Sequence, residues 1–517
     1  MSCRSRRGPF IVALCSFIAA LVLAQPAAAT ISYEVSLAQP ANHLFRVQMT
    51  IPDPAPGTVV SLPAWNALYQ IRDFAYRVRD VRAFAGSSDG LRYHVRKLDK
   101  QTWRLEYPIP SPPIPTPAMT IEYSVEWDDP GPFSSQLNEH HAFINLAEIL
   151  MYVPDRRGEE AVVSFAQVPN DWKIAVELRA TPMMNAPDTF TAATYDALVD
   201  APVEAGKFDE FKFDSGGGHF RVIVDAAGWN RGRLETALRR ITAYEIELMG
   251  GAPFQQYTFF FHIGPAGEVG GGGMEHANSS EIADASLDGA ISIAAHEFFH
   301  AWNVKRIRPQ SLEPVDYTKE QYTRALWFAE GVTDTYRSYT LERTGIWAKG
   351  RFYDDLASQI ERLQIRPAHA WQSVEESSLD AWFEKYSAYN LPDRSISYYN
   401  KGQIIGVLLD LEIRDATDNH KSLDDVMRLL HDEYARQGKF YDDSNGLRGA
   451  VEKVAGRSFE DFFRRYISGV DEIPYNEVLS IAGLELKTDG AYSISEMAHP
   501  TDRQRRIREG LLHGSTD

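Results

Sequence analysis

Two histidines four positions apart, with a glutamate directly after the first, stand in the stretch IAAHEFFHAW at residues 293–302. On a helix, positions i and i+4 share one face, so the imidazoles of His296 and His300 can reach a common point. A divalent cation suits that point, because neutral imidazole is a strong nitrogen ligand. Glu297 then lies close by without needing to be a ligand. A carboxylate in that position accepts a proton from a water that the cation has made acidic, which is the chemistry of hydrolysis. The competing reading is an amphipathic core helix whose histidines are satisfied by hydrogen bonds.

The spacing is the H-E-x-x-H pattern of zinc peptidases, and a catalytic zinc takes three protein ligands and keeps one position open. The stretch WFAEGVTDTY supplies Glu330 further along the chain. On a neighbouring antiparallel helix it would complete a His-His-Glu set. Its neighbours Trp327, Phe328 and Val332 are apolar, and an unpaired carboxylate among them is costly. The alternative for Glu330 is an ion pair with Arg324 or Arg337 on its own helix. Asn303 and Asp334, one turn after His300 and Glu330, either orient the ligands or are ordinary helix-surface residues.

The elements that must position these groups follow from the rest of the chain. At 517 residues, with 44% hydrophobic and 24% charged residues, it has a globular make-up and is too long for one core. The first residues read as a secretory signal: basic MSCRSRRGPF, apolar IVALCSFIAALVLA and small-residue QPAAAT, with cleavage after Ala29. A membrane anchor is the alternative for residues 1–29. Export to the periplasm or the medium is therefore expected. Arg6-Arg7 hints at twin-arginine export, but Pro9 breaks the usual pattern. Both cysteines, Cys3 and Cys15, fall inside the signal, so a metal in the mature chain must be held by histidine and carboxylate. No later run is long enough to span a bilayer, and no stable membrane insertion is expected after signal removal. Losing the signal removes three arginines and no acid, leaving the mature chain more negative than the −18 of the whole. Such a balance argues against nucleic acid and anionic membranes as partners.

Residues 30–225 read as an antiparallel β domain. HLFRVQMTI, WRLEY, MTIEYSVEW and VVSFAQV alternate apolar with polar residues between Pro, Gly and Asp clusters. YPIPSPPIPTPAM reads as a rigid surface connection. Residues 226–487 read as a mainly helical domain. It opens with a helix at RGRLETALRRITAYEIELMGG, the strand QYTFFFHIG and a glycine-rich loop, PAGEVGGGGMEHANSSEIADAS. The motif helix is expected over about 288–303 with Asp288 as its N-cap. The next helix is expected from a capping box at Thr318 and Gln321 to about Arg343. Residues 488–517 read as a polar, poorly ordered tail. The sequence has no internal repeat.

HEFFHAWNVKRIRP, followed by LWFAEGVTDTY and SYYNKGQ, resembles the glycyl aminopeptidase family of gluzincin metallopeptidases, relatives of the membrane alanyl aminopeptidases. The likeness extends over most of the mature chain, to IPYNEVLSIAGLEL. It implies an α+β fold, with an N-terminal antiparallel β domain followed by a thermolysin-like, mainly helical zinc peptidase domain. It also implies one Zn2+ per chain and a peptide substrate with a free N-terminus and a small first residue, glycine or alanine. In the relatives a G-x-M-E-N loop holds the substrate's amino group. GGGMEH puts Glu275 in that role, with Gly273 where an extended peptide nears the backbone and His276 where relatives carry asparagine. The alternative is a flexible glycine loop with a solvated Glu275. The relatives' oxyanion-stabilising tyrosine stands two residues before a lysine-glycine pair, which selects Tyr399 in YYNKG. Tyr398, or a mere packing role, stays open.

Lys305, Arg306 and Arg308 in VKRIRP either form structural ion pairs or face a substrate carboxylate. His140 and His141 read as structural. Longer family members carry a PDZ domain after the helical domain, and this chain is expected to lack it. The rival functions are a zinc endopeptidase and a catalytically silent peptide-binding protein on the same scaffold.

Overall fold

Side-chain alternation shapes the first unit. In the strand Leu44–Ile51, Phe45, Val47, Met49 and Ile51 turn into the core while Arg46 stays in solvent. This strand pairs antiparallel with Ile31–Ser36 and with Met119–Glu126 at the centre of a seven-stranded sheet. Within that sheet Ile31–Ser36 and Ala161–Ala166 run parallel. A smaller four-stranded sheet is ordered Lys173–Val176, Val203–Gly206, His141–Ile144 and Gln136–Leu137. The computed structural model describes residues 30–66, 69–108 and 116–514. The expected signal at 1–29 and most of the proline-rich connection lie outside the described residues.

The second unit is built on a five-stranded sheet ordered Asp209–Ser215, Gly218–Ala226, Gln256–Ile263, Ser279–Asp284 and Gly272–Glu275. Its three central strands are parallel and both edge strands antiparallel. Gln256–Ile263 is apolar on both faces because both are covered. Tyr257, Phe259 and Phe261 join the main core under the helices. On the other face Phe260 meets Ala175 of the four-stranded sheet, together with Phe208 and Ile223. The two sheets therefore pack face to face where the units meet. Beyond Asp284 the chain is mainly helical, and among the described residues no helix is long and apolar enough to cross a membrane.

Three expectations change. The boundary at 225/226 falls too late, because Phe211, Phe213, Phe220, Val222 and Val224 belong to the second core and their hairpin extends the second sheet. Periodicity identifies a strand but not the sheet it joins. The glycine-rich loop holds two paired strands, Gly272–Glu275 and Ser279–Asp284. Residues 488–517 are not a loose tail as far as Gly514. Ser493–Glu496 pairs with Leu484–Lys487, and the helix Asp502–His513 buries Ile507, Leu511 and Leu512 while Arg343 donates to the Leu511 carbonyl. The helix has few apolar residues, but they share one face.

Candidate metal centre and active site

The motif helix spans Leu287–Phe299 and is capped by Ser286, whose side chain accepts from the Gly289 amide. Asp288, expected as the cap, lies in the first turn and pairs with Arg233, where its charge favours the helix N-terminus. Phe298 anchors the helix to the sheet through ring contacts with Phe220, Tyr257 and Phe259. His296 and Glu297, one turn before the helix end, and His300 at its C-cap line a cleft of about 200 Å3.

Glu330 reaches the same cleft from the next helical segment, which begins later than expected. Thr318 and Gln321 bond to the side chain and amide of Asp316 in a loop, leaving no capping box. The segment opens as a wide π turn, Trp327–Val332, and continues as the α-helix Thr333–Arg343. It crosses the helix Tyr398–Ala416 glycine on glycine. A Cβ on Gly331 would collide with Gly402 and the Tyr398 carbonyl, and one on Gly402 with the Trp327 carbonyl. That close approach places Tyr398 and Tyr399 in the cleft wall beside Glu330. Gly402→Ala should therefore destabilise the protein by about 1–3 kcal/mol, as overpacking does, and weaken zinc retention as Glu330 is displaced. A thermal melt and metal analysis check this; an unchanged melting temperature would contradict the crossing.

The donor atoms converge closely. His296 Nε2 and His300 Nε2 are 3.0 Å apart, and Glu330 Oε2 lies 3.6 Å from the first and 3.2 Å from the second. The outer nitrogens are also held: Asp334 Oδ1 is 3.1 Å from His296 Nδ1, and the Asn303 carbonyl is 2.6 Å from His300 Nδ1. Neither proposed arginine takes Glu330. Arg337 donates to Asp334 and Asp355, and the ion pairs of Glu330 are with His296 and His300. The Asn303 side chain donates to the Phe328 carbonyl and to Thr333, tying the two ligand-bearing segments together.

This donor set fits a cation. Acceptors at both Nδ1 atoms place the ring hydrogens there, so the two Nε2 atoms present lone pairs to each other and to a carboxylate. Three electron-rich atoms at these distances repel unless positive charge lies between them. Ligands of a tetrahedral zinc sit roughly 3.3 Å apart, given bonds of about 2.0–2.1 Å. The local field agrees. Burial opposes a positive charge on either ring, but Asp334 beside His296 and Glu330 beside His300 outweigh it and raise both above the usual histidine range. Burial likewise opposes ionisation of Glu330, yet His300 and His296 hold its carboxyl well below the ordinary range. Asp334, resisted by burial and held by Arg337 and His296, is lowered to about 2.

Glu275, Glu297 and His300 form a second triplet whose donor atoms lie within 4.8 Å of one another. Burial pushes Glu297 up to about 8, against the pull of His296 and His300 and with the push of Glu275 and Glu330. Gly273 backs directly onto Glu297, with no room for a Cβ between them. Tyr399 faces His296 with ring centroids 6.3 Å apart, and Tyr398 packs on Tyr399 at 4.8 Å. Burial, with Glu330 adding to it, raises Tyr399 well above the usual phenol range, so it stays a hydrogen-bond donor.

His276 turns away to Asp200, which also pairs with Lys305. Arg306 donates to the Ala277 and Ala301 carbonyls and Arg308 pairs with Glu313, so all three VKRIRP cations have protein partners.

The strand-rich first unit, the sheet below the motif helix and the crossing helices are also what similarity to known proteins points to. A family model described as the peptidase M61 N-terminal domain matches residues 32–207, and one described as M61 glycyl aminopeptidase matches residues 289–405. The chain belongs to the M61 glycyl aminopeptidase family. This M61 member is accordingly a peptidase. A crystal structure of an aminopeptidase N family protein from Idiomarina loihiensis superposes with a TM-score of 0.82 at 26% identity, over 89% of this chain and 79% of that one. The M1 zinc metallopeptidase from Deinococcus radiodurans shares the fold at a TM-score of 0.52 and 16% identity, over 86% of this chain and 94% of that one. A mutant of it bound to a Tyr-Ser-Ala substrate matches at 0.52 and 14%, with the same coverage. No curated protein sequence matches the chain.

The M61 peptidase's cleft also contains residues that motif reading did not find. Tyr69, Gln70, Arg72 and Phe133 come from the first unit and Glu384 from a later helical turn. Arg72 donates to the Phe133 carbonyl, and Glu384 is raised to about 7 by burial and by Glu330. None belongs to a spaced pattern, so only the fold brings them to the site.

Proposed function

We propose that this peptidase removes the first residue from peptides with a free N-terminus, with one Zn2+ held by His296, His300 and Glu330. The observation that carries the reading is the convergence of those three donors beside two further buried carboxylates, Glu275 and Glu297. A zinc ion bound there supplies Lewis-acid polarisation of the scissile carbonyl and acidifies a water. Glu297 accepts the proton of the attacking water and delivers it to the departing amine. Glu275 pairs with the substrate ammonium and sets the distance from the chain end to the bond cleaved. Tyr399 donates its phenol hydrogen to the developing oxyanion. Gly273, on the edge strand Gly272–Glu275, leaves the backbone open for an extended peptide to lie alongside.

Preference for glycine as the first residue follows the family's description, with alanine the next smallest side chain, and export follows the leader-like composition of residues 1–29. The peptide bound to the Deinococcus relative's mutant agrees with a peptide substrate. A panel of aminoacyl reporters and their N-blocked counterparts, assayed with and without chelator, tests the reading. Free-amine substrates should be cleaved and blocked ones should not, with activity lost on chelation. Equal cleavage of both would indicate an endopeptidase. Glu275→Gln should lower kcat/KM on free-amine substrates by roughly 10–150-fold, the worth of a charge-assisted contact of about 1.5–3 kcal/mol.

A further inference from the structure

A second set of convergent donors lies where the two units meet, on the face of the five-stranded sheet away from the motif helix. His262 on Gln256–Ile263 and Asp225 on Gly218–Ala226 face His141 and Glu204 on paired strands of the four-stranded sheet. One donor atom from each lies within 4.8 Å of the others. His262 Nε2 is 3.1 Å from Glu204 Oε2, and His141 Nδ1 is 3.1 Å from Glu204 Oε1 and 3.6 Å from Asp225 Oδ2. The spacing reproduces the 3.0–3.6 Å among His296, His300 and Glu330. We propose that His141, Glu204, Asp225 and His262 bind a second zinc ion, which joins the two units.

The outer atoms of both rings support this. His262 Nδ1 lies 2.6 Å from Glu281 Oε1, a carboxylate placed to hold the ring hydrogen on Nδ1 when Nε2 binds an ion beside Glu204. Asp334 arranges His296 in the same way, and a carboxylate behind a histidine is the usual support of a metal ligand. Gln136 Oε1, 3.1 Å from His141 Nε2, can hold the His141 ring hydrogen on that nitrogen in the same way. Positive charge is required between these nitrogens and the carboxylate oxygens, carried either by an ion or by ring protons, and metal analysis separates the two.

Glu204 and Glu281 are almost completely buried, and their recorded charge partners are these histidines. Glu281 Oε2 is buried without a hydrogen-bond partner, so negative charge here exceeds what its neighbours satisfy. Asp225, 40% exposed, opens a path for the ion. Two nitrogens and two carboxylate oxygens suit zinc, and four protein ligands leave no position for substrate, so the ion is structural.

The full chain, dialysed to equilibrium against Zn2+ and then analysed for metal, should hold two ions. His141→Ala combined with Asp225→Asn should hold one and retain hydrolysis, while its melting temperature responds less to added zinc than the parent's. His300→Ala should also hold one, and its Co2+ derivative should show the visible absorption of a four-coordinate site. If the catalytic centre held no zinc, the parent would keep one ion and the double variant none, which still supports the second site. One ion in both the parent and the double variant would overturn the proposal and identify the cluster as an ion pair held by protons. Two ions in both, or a His300→Ala protein that takes up no Co2+, would overturn it equally.

Discussion

Replacing Glu297 by glutamine should reduce kcat on free-amine substrates by about 10²–10⁴-fold, the usual contribution of a positioned general base, while zinc content stays at the parent level. The carboxylate is buried, lies against Gly273, and shares a triplet with Glu275 and His300 rather than with the His296–His300–Glu330 set. Glutamine has the same shape and cannot accept the water's proton. It also removes a buried ionisable group that burial already pushes up to about 8, so the fold should not lose stability. Initial rates, metal analysis and a thermal melt distinguish the outcomes. Activity within a few-fold of the parent would remove Glu297 from the chemistry, and loss of zinc would make it a ligand instead.

Glu330→Ala should leave the protein with one zinc fewer than the parent and with hydrolysis reduced to background. Removing only the outer partner of a metal ligand typically costs 10–100-fold in affinity, and loss of a ligand from a three-residue set should exceed that. Glu330 Oε2 lies within 3.6 Å of both Nε2 atoms, and Arg337, which might have claimed it, is bonded to Asp334 and Asp355. Competition against a weak chelator measures the effect. Parent-level zinc retention would mean that the two histidines suffice or that another residue supplies the third donor. Asp334→Asn is the milder companion, since it keeps the three donors and weakens only the hold on His296 Nδ1.

The local parts of the site were legible because their geometry is local. His296 and His300 share a face at i and i+4, and the alanines and phenylalanines around them mark a packed helix. Helix starts were less legible. Ser286 rather than Asp288 caps the motif helix, and Thr318 serves a loop, since serine, threonine and aspartate compete for the same amides and neighbouring packing decides between them. His141 shows the limit most clearly. Its sequence context gives a structural histidine and no more, since its partners Glu204, Asp225 and His262 lie on other strands and carry no mutual spacing.

By itself, the sequence determined the types and order of the groups: a histidine pair with a carboxylate inside one turn, a glutamate among apolar residues downstream, and a β-rich half before a helical one. Only the tertiary structure decided which atoms meet. The glycine crossing that brings Tyr399 and Glu330 together, the hairpin 209–226 that joins the second sheet, and the four donors between the units depend on contacts between distant segments. Periodicity records which side of an element is buried, because burial repeats along one strand or helix. It carries no record of what lies opposite.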